Sequence, residues 1–254
     1  MRLRQVALIA HEIAPVAEAL SAVFGLRSAF RDPAVEVFGL ANAVMPCGGE
    51  FIEILEPLRA GTSGGRYLER RGGDAGYMVI LQSQESLEHR ARLAAAGVRV
   101  IAASPPARYR FTHFHPADCA GVLLSIDSVT GEDWRETFCD WPAAGPNWRR
   151  FQSEISIGLR SVDVQSPNPE AAGRRLAELL QRPLAPRSEG WELALDRGLI
   201  RFVAPVDADG TGVVGIEIVV GNPAAALERA VSAGLPVAGG AVMICGVAMR
   251  PVDG

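Results

Sequence analysis

The residue with the clearest capacity for chemistry is Glu53, which stands inside an apolar run that spans residues 48–57. Strand side chains alternate between faces, so Phe51, Glu53 and Leu55 are expected to share one face. A carboxylate removed from water is costly unless a cation, a metal or a hydrogen-bond donor meets it, or unless it takes up a proton. Glu53 is therefore the first candidate for a base or a metal ligand. The alternative is a half-solvated position, or an ion pair with one of the many arginines.

Two histidines form the second candidate group. His113 and His115 are two residues apart in a strand-like segment, so both side chains are expected on one face. Two imidazoles on one face can bind a metal or relay a proton, with Tyr109 and Asp118 as candidate neighbours. The alternative places both histidines on the surface at the end of a strand.

Composition excludes several classes of function. A net charge of −4 and a pI near 5.7 argue against a general nucleic-acid binder. The four scattered cysteines form no zinc-finger pattern and are expected to be reduced. The sequence contains no phosphate-binding loop and no nucleophile elbow. No apolar run approaches membrane-spanning length and no signal-peptide core is present, which predicts a cytoplasmic protein without a membrane partner.

The elements that must position Glu53 follow from periodicity. Residues 3–10 predict a buried strand and residues 13–24 a helix with one apolar stripe. Residues 35–40, 43–45 and 51–55 predict three further strands. The segment is thus a β-α-β-β-β unit, and the glycine-rich residues 59–74 that follow it predict a mobile connection.

The same unit recurs along the chain. Residues 77–82 predict a strand and residues 85–96 a helix, with His89 on its solvated face. Residues 93–98 resemble residues 230–235, and residues 53–57 resemble residues 201–205. Because each unit needs a partner to cover its sheet, the repeat predicts an α+β protein. Four tandem β-α-β-β-β units are expected to pair into two domains with curved mixed sheets around a cleft.

The predicted domain boundaries follow from a change in composition. Residues 1–130 form the first domain, which carries the better-preserved pocket. Residues 131–152, rich in tryptophan and proline, form a linker that is expected to pack across the seam between the domains. Residues 153–254 form a second, degenerate domain.

Three segments resemble the vicinal oxygen chelate superfamily, which includes glyoxalases, methylmalonyl-CoA epimerases, extradiol dioxygenases and bleomycin-resistance proteins. They are Gln5-Val6-Ala7-Leu8 before a helix that ends at Phe24-Gly25-Leu26, the strand Glu53-Ile54-Leu55-Glu56-Pro57, and the segment from His115 to Leu123. The last is similar to the loop and strand that precede the final metal ligand in the acyl-CoA epimerases.

The resemblance implies four metal-ligand positions in the first domain, which fall on Gln5, Glu53, Tyr77 and Ser125. Gln5 and Glu53 are side chains of the usual ligand types, whereas the neutral oxygens of Tyr77 and Ser125 are weak ligands for a divalent cation. A divalent metal of unspecified identity, bound weakly, is the only cofactor expected.

The equivalent positions of the second domain fall on Ser161, Arg201, Val214 and Arg250. Arg201 and Arg250 cannot coordinate a cation but could hold a substrate carboxylate or phosphate, together with His113 and Ser125. The alternative is that both arginines are solvated or paired with acids.

The resemblance implies a glyoxalase-like lyase, isomerase or epimerase that acts on a small oxygenated metabolite, a carboxylate or a thioester. Glu53 would be base or ligand, with Tyr77 and His115 as catalytic helpers. One alternative is a non-catalytic protein that sequesters a small molecule, as the bleomycin-resistance proteins do. Another is a pseudo-enzyme that serves as a dimerisation module. A homodimer is compatible with all three.

Overall fold

The computed structural model describes the whole chain, residues 1–254, as an α+β protein with five α-helices and sixteen strands. The helices are α1 (Ile13–Phe24), α2 (Ser63–Arg71), α3 (Ser86–Ala95), α4 (Pro169–Leu180) and α5 (Pro223–Ser232). The strands of the first half are β1 (Arg2–Ile9), β2 (Leu40–Cys47), β3 (Glu50–Pro57), β4 (Ala75–Gln82), β5 (Val100–Ala103), β6 (Tyr109–Arg110), β7 (Thr112–Phe114) and β8 (Leu123–Val129). Those of the second half are β9 (Ser156–Gln165), β10 (Leu184–Arg187), β11 (Gly190–Ala194), β12 (Leu199–Val203), β13 (Gly212–Val220), β14 (Val237–Ala238), β15 (Ala241–Ile244) and β16 (Val247–Val252).

The strands form two mixed eight-stranded sheets. The first has the order β2-β3-β1-β4-β8-β7-β5, with β6 paired to β8, and the second has the order β10-β11-β12-β9-β13-β16-β15-β14. Strands β11, β12 and β9 take the places of β2, β3 and β1, and β13, β16, β15 and β14 take those of β4, β8, β7 and β5. The predicted fold class, four tandem β-α-β-β-β units in curved mixed sheets, is confirmed.

Contacts divide the chain into two compact units. The first comprises residues 1–5, 77–140 and 161–214, and the second comprises residues 6–76, 141–160 and 215–254. The domain boundaries expected from the sequence, at residues 130 and 153, stay a prediction. No helix of the chain has the length and apolar character that a membrane crossing requires.

Each unit contains a packed pair of helices. In the second unit α1 packs on α5, and Arg229 donates through Nε to the Val23 carbonyl at 2.9 Å. In the first unit α3 packs on α4, and Arg92 donates to the Leu179 carbonyl at 3.1 Å. Helices α4 and α5 begin alike, because Asn168 and Asn222 cap them and a proline follows each cap.

Two segments differ from the predictions. The glycine-rich residues 59–74 contain the helix α2, whose N-terminus is capped by the Thr62 hydroxyl. Gly64 packs so closely on Ile9 that a Cβ there would lie 2.6 Å from that side chain, so this glycine serves packing. Residues 33–38, expected as a strand in part, form a 3₁₀-helix that the Asp32 side chain caps.

His89 also differs from its prediction, because its side chain is buried and not solvated. Its Nδ1 accepts from Arg92 Nη2 at 2.7 Å, and its Nε2 lies 3.1 Å from the Ser83 hydroxyl. The arginine contact assigns the proton to Nε2, so the neutral ring donates to Ser83. Burial, and then the charge of Arg92, lowers the pKa of His89 to about 4.

The burial of neutral His89 predicts that the free energy of unfolding decreases in acid. The folded-state pKa of His89 is about 4, below the ordinary value of 6.5, so the unfolded state binds more protons between these pH values. The stability linked to neutral His89 is complete above pH ~6.5 and is lost as the pH falls toward ~4, by at most about 3 kcal/mol. A glutamine can accept from Arg92 and donate to Ser83 without titrating. Urea unfolding of His89→Gln at pH 7.5, 6 and 5 is expected to show a shallower pH dependence than the wild type. Equal slopes for the two proteins would contradict this assignment.

Candidate functional site

Glu53 lies on β3 in the second unit and is buried, with 7% of its surface exposed. Asn42 on β2 donates from Nδ2 to Glu53 Oε1 at 2.6 Å, and its own Oδ1 accepts the backbone N–H of Asp32 at 2.7 Å. The second bond fixes which way the amide points, because only the oxygen can accept from an N–H. The amide that donates to Glu53 is therefore held in one orientation by Asp32, the residue that caps the 3₁₀-helix.

The strand register places Glu53 on an apolar face. Glu53 lies directly opposite Val44 on β2 and shares its face with Phe51. The ring of Phe51 stacks on Trp141, with centroids 6.3 Å apart, and meets Trp148 edge-on at 4.9 Å. Both tryptophans are fully buried. The tryptophan-rich segment therefore covers part of the β3 face beside Glu53, where a desolvated carboxylate depends on the donors within reach.

A second polar group, which we call the hydroxyl–carboxylate cluster, lies in the first unit and consists of Tyr109, Ser125 and Asp127. Tyr109 donates its hydroxyl to Asp127 Oδ2 at 2.6 Å, and the Ser125 hydroxyl donates to Asp127 Oδ1. Ser125 and Asp127 are almost fully buried and share one face of β8, two residues apart. Both oxygens of this carboxylate thus accept from neutral hydroxyls, a set that can hold or pass a proton.

His113 borders this cluster. It lies directly opposite Ser125 in the antiparallel β7-β8 pair, so the two side chains share a face. Its ring lies 4.7 Å from that of Phe111. Burial lowers the pKa of His113 to about 4, so the ring is neutral at pH 7 and can accept or donate one hydrogen bond.

The similarity of the chain to known proteins lies in its fold. No protein-family model and no curated protein sequence matches the chain. Among solved structures, a variant of 4-hydroxymandelate synthase from Streptomyces coelicolor is 16% identical and covers 92% of this chain and 75% of its own, with a TM-score of 0.68. The chain has the vicinal oxygen chelate fold.

Two further likenesses cover about half of the chain. A methylmalonyl-CoA epimerase variant from Streptomyces coelicolor, solved with 2-nitronate-propionyl-CoA, is 21% identical over 52% of this chain and 99% of its own, with a TM-score of 0.47. Methylmalonyl-CoA epimerase from Mycobacterium tuberculosis is 19% identical over 51% of this chain and 88% of its own, with a TM-score of 0.46. The resemblance drawn from the sequence is confirmed, as a resemblance of fold, by the 4-hydroxymandelate synthase structure.

The vicinal oxygen chelate superfamily implies a divalent cation, but the residues present do not fit one. No group of three or more His, Cys, Asp or Glu side chains is placed to hold a metal ion. The Ser125 hydroxyl is already engaged by Asp127, and alternation along β4 places Tyr77 on the opposite face from Ser125. On β4 the face of Ser125 carries Met78, Ile80 and Gln82, and the Gln82 amide is hydrogen-bonded to the Cys139 thiol. A thioether and an engaged hydroxyl are poor ligands for a hard cation.

The remaining predicted residues come from different strands and loops. Gln5 is buried on β1 in the first unit, whereas Glu53 belongs to the second, so their predicted pairing stays a prediction. His115 lies beyond the end of β7, where its Nδ1 accepts the Ala117 N–H at 3.2 Å at the start of a 3₁₀-helix. Asp118, its expected neighbour, forms a two-bond ion pair with Arg99.

The two predicted arginines have protein partners. Arg201 donates from Nε to Glu192 at 3.1 Å, and Glu192 is its cross-strand neighbour. Arg250 is exposed and donates to the Gly239 carbonyl at 3.0 Å. Their role in binding a substrate anion stays a prediction.

Sequence reasoning missed Asn42 and Asp127. Asp127 could have been found, because it stands two residues after Ser125 in a strand and therefore shares its face. Asn42 gives no such signal, because its contact with Glu53 depends on the β2-β3 register. Two grooves of the first unit, of about 460 and about 90 Å³, are not lined by any residue predicted for the site.

A double-mutant cycle on Asn42 and Glu53 tests the buried contact. Asn42→Ala removes the amide donor and leaves the carboxylate without it, whereas Glu53→Ala removes the carboxylate that accepts from the amide. We expect a coupling free energy of about 1.5–3 kcal/mol at pH 7 from urea unfolding, the range for a hydrogen bond to a charged group. The same cycle between Asn42→Ala and Ser86→Ala, which lies in the other unit, should be additive. A coupling near zero for Asn42 and Glu53 would show that the bond is not made.

Proposed function

We propose that the protein is a glyoxalase-like enzyme of the lyase, isomerase or epimerase type, which moves a proton next to a carbonyl of a small carboxylate or thioester. The observation that carries the proposal is the setting of Glu53, a buried carboxylate that a fixed amide orients on an apolar face. Carboxylates kept from water and held in place are suited to general base catalysis at carbon.

The chemistry requires two parts. Asn42 fixes Glu53 Oε1 and thereby the plane of the carboxylate, which accepts the proton from the carbon next to the substrate carbonyl. The oxygen of that carbonyl gains negative charge and needs hydrogen-bond donors. Gln5 and His115 are proposed as donors, and His115 retains Nε2 for this purpose because Ala117 occupies Nδ1. Tyr77 is the weakest helper, because it lies on the opposite face from Ser125.

A binding protein without catalysis is the second candidate. The weak ligand types at two of the implied metal positions, Tyr77 and Ser125, favour it, because a metal-dependent enzyme would need stronger ligands there. In either case the proposed partner is a small molecule. A cytoplasmic location and a homodimer belong to the same proposal.

Exchange with solvent tests the catalytic role without knowledge of the product. The protein is incubated in D₂O with 2-substituted carboxylates and with their thioesters, and loss of the proton at C2 is followed by NMR. We expect exchange for at least one compound, slowed by roughly 10²- to 10⁴-fold in Glu53→Gln. Glu18→Gln, the same change at an exposed position of α1, should exchange like the wild type. Exchange that persists unchanged in Glu53→Gln would remove Glu53 as the base. Binding of a compound without exchange of any would favour the binding protein.

Metal content gives an independent prediction. Because the donor set is poor in strong ligands, elemental analysis after extensive dialysis should find zinc, nickel, iron and manganese well below one equivalent per chain. Near-stoichiometric metal after dialysis would contradict the argument from the donor set. A fall of that metal in Glu53→Gln would then identify Glu53 as a ligand.

A further inference from the structure

A small groove with two arginines lies in the first unit, on the side of the sheet that faces α3. Its volume is about 90 Å³, and no carboxylate lines it. We call it the arginine groove, and its lining includes Leu87, Arg90, Ser104, Arg110 and Phe111, with two prolines at 105 and 106. Arg90 comes from α3 and Arg110 from β6, so the groove is formed by a helix, a strand and the loop that precedes the strand.

Neither arginine of the groove forms an ion pair. Most other arginines nearby do, such as Arg99 with Asp118 and Arg108 with Glu132 and Asp140. The Nε of Arg110 is moreover buried and has no hydrogen-bond partner. Two positive charges without a counter-charge repel each other when they line one small groove. A buried donor without a hydrogen-bond partner also costs free energy of folding. An anion in the groove relieves both.

Ser104 adds a neutral donor. Its oxygen accepts the backbone N–H of Phe111 at 3.1 Å, so the hydroxyl hydrogen points elsewhere and can be donated. The bond also fixes the side chain, which means that little rotamer freedom is lost when a ligand binds.

We infer that the arginine groove binds a small organic oxyanion, a carboxylate or phosphate group on an apolar body. Guanidinium groups match the oxygen pairs of both anions, and about 90 Å³ admits such a head group but little more. The apolar wall of Phe111 and the two prolines continues to Leu87, which is 43% exposed and can cover the body of the ligand.

The two arginines of this groove do not belong to the hydroxyl–carboxylate cluster, although Phe111 borders both, and Glu53 belongs to the other unit. Arg110 lies opposite Ser128, and alternation places it on the other face of the sheet from Asp127. The hydroxyls of Ser128 and Ser86 are 2.6 Å apart, which ties that face to α3. The inference therefore stands or falls independently of the proposed proton transfer.

Calorimetric titration with four anions tests the inference: inorganic phosphate, phenyl phosphate, acetate and benzoate, at one ionic strength set with sodium chloride. We expect saturable binding, with phenyl phosphate binding more tightly than inorganic phosphate and benzoate more tightly than acetate. Whether the phosphates or the carboxylates bind more tightly identifies the head group of the ligand. Arg90→Gln and Arg110→Gln should each weaken binding by about 10- to 100-fold, and Ser104→Ala by up to about tenfold. Arg31→Gln removes one positive charge at an exposed position outside the groove and should bind like the wild type.

The outcomes that overturn the inference are clear. Absence of saturable binding by all four anions would refute it, as would equal affinity in Arg90→Gln and the wild type. Arg90 is on the surface of α3, so its replacement should leave the urea midpoint unchanged, and this is measured beside the titration. Arg110→Lys keeps the charge without the forked donors and should bind with intermediate affinity. Full affinity in both Arg110 variants would equally exclude the groove.

Discussion

Each β-α-β-β-β repeat contributes one helix and a group of strands with two faces. Because the helix covers only one face, another part of the chain must cover the other. In the second compact unit, Trp141 and Trp148 cover part of the sheet by packing on Phe51. The first unit meets this need in part with Arg2 and Arg4, whose buried guanidinium groups donate to backbone carbonyls of residues 134–139. The tryptophan-rich segment expected as a linker is therefore a covering element of the fold.

Covering a sheet face removes water from the polar residues on it, and each must then find a partner in the protein. Glu53 finds Asn42, and Asp127 finds the hydroxyls of Tyr109 and Ser125. These buried acids are the residues best placed for chemistry. In contrast, exposed ion pairs such as Arg99 with Asp118 and Arg174 with Glu170 contribute little to stability.

Periodicity alone predicted the parts of the fold that depend on local sequence. The apolar stripe of α1 follows from a period of 3.6 residues, and the burial of Glu53 follows from the two-residue alternation of a strand. The helix α2 was missed because its glycines indicate flexibility when read alone, whereas Gly64 is required for close packing. Tyr77 lies on the opposite face of β4 from Ser125, and this depends on the β4-β8 register, which is set by pairing across the sheet. Contacts such as Asn42 with Glu53 depend on register in the same way.

The carboxyl group of Glu53 is kept from water. Native-state labelling with a water-soluble carbodiimide and a small amine, read by peptide mass spectrometry, measures this directly. We expect the exposed Glu12 and Glu18 to be modified while Glu53 is protected, and all three to react once the chain is unfolded in urea. Modification of Glu53 in the folded protein at the rate of Glu12 and Glu18 would contradict it.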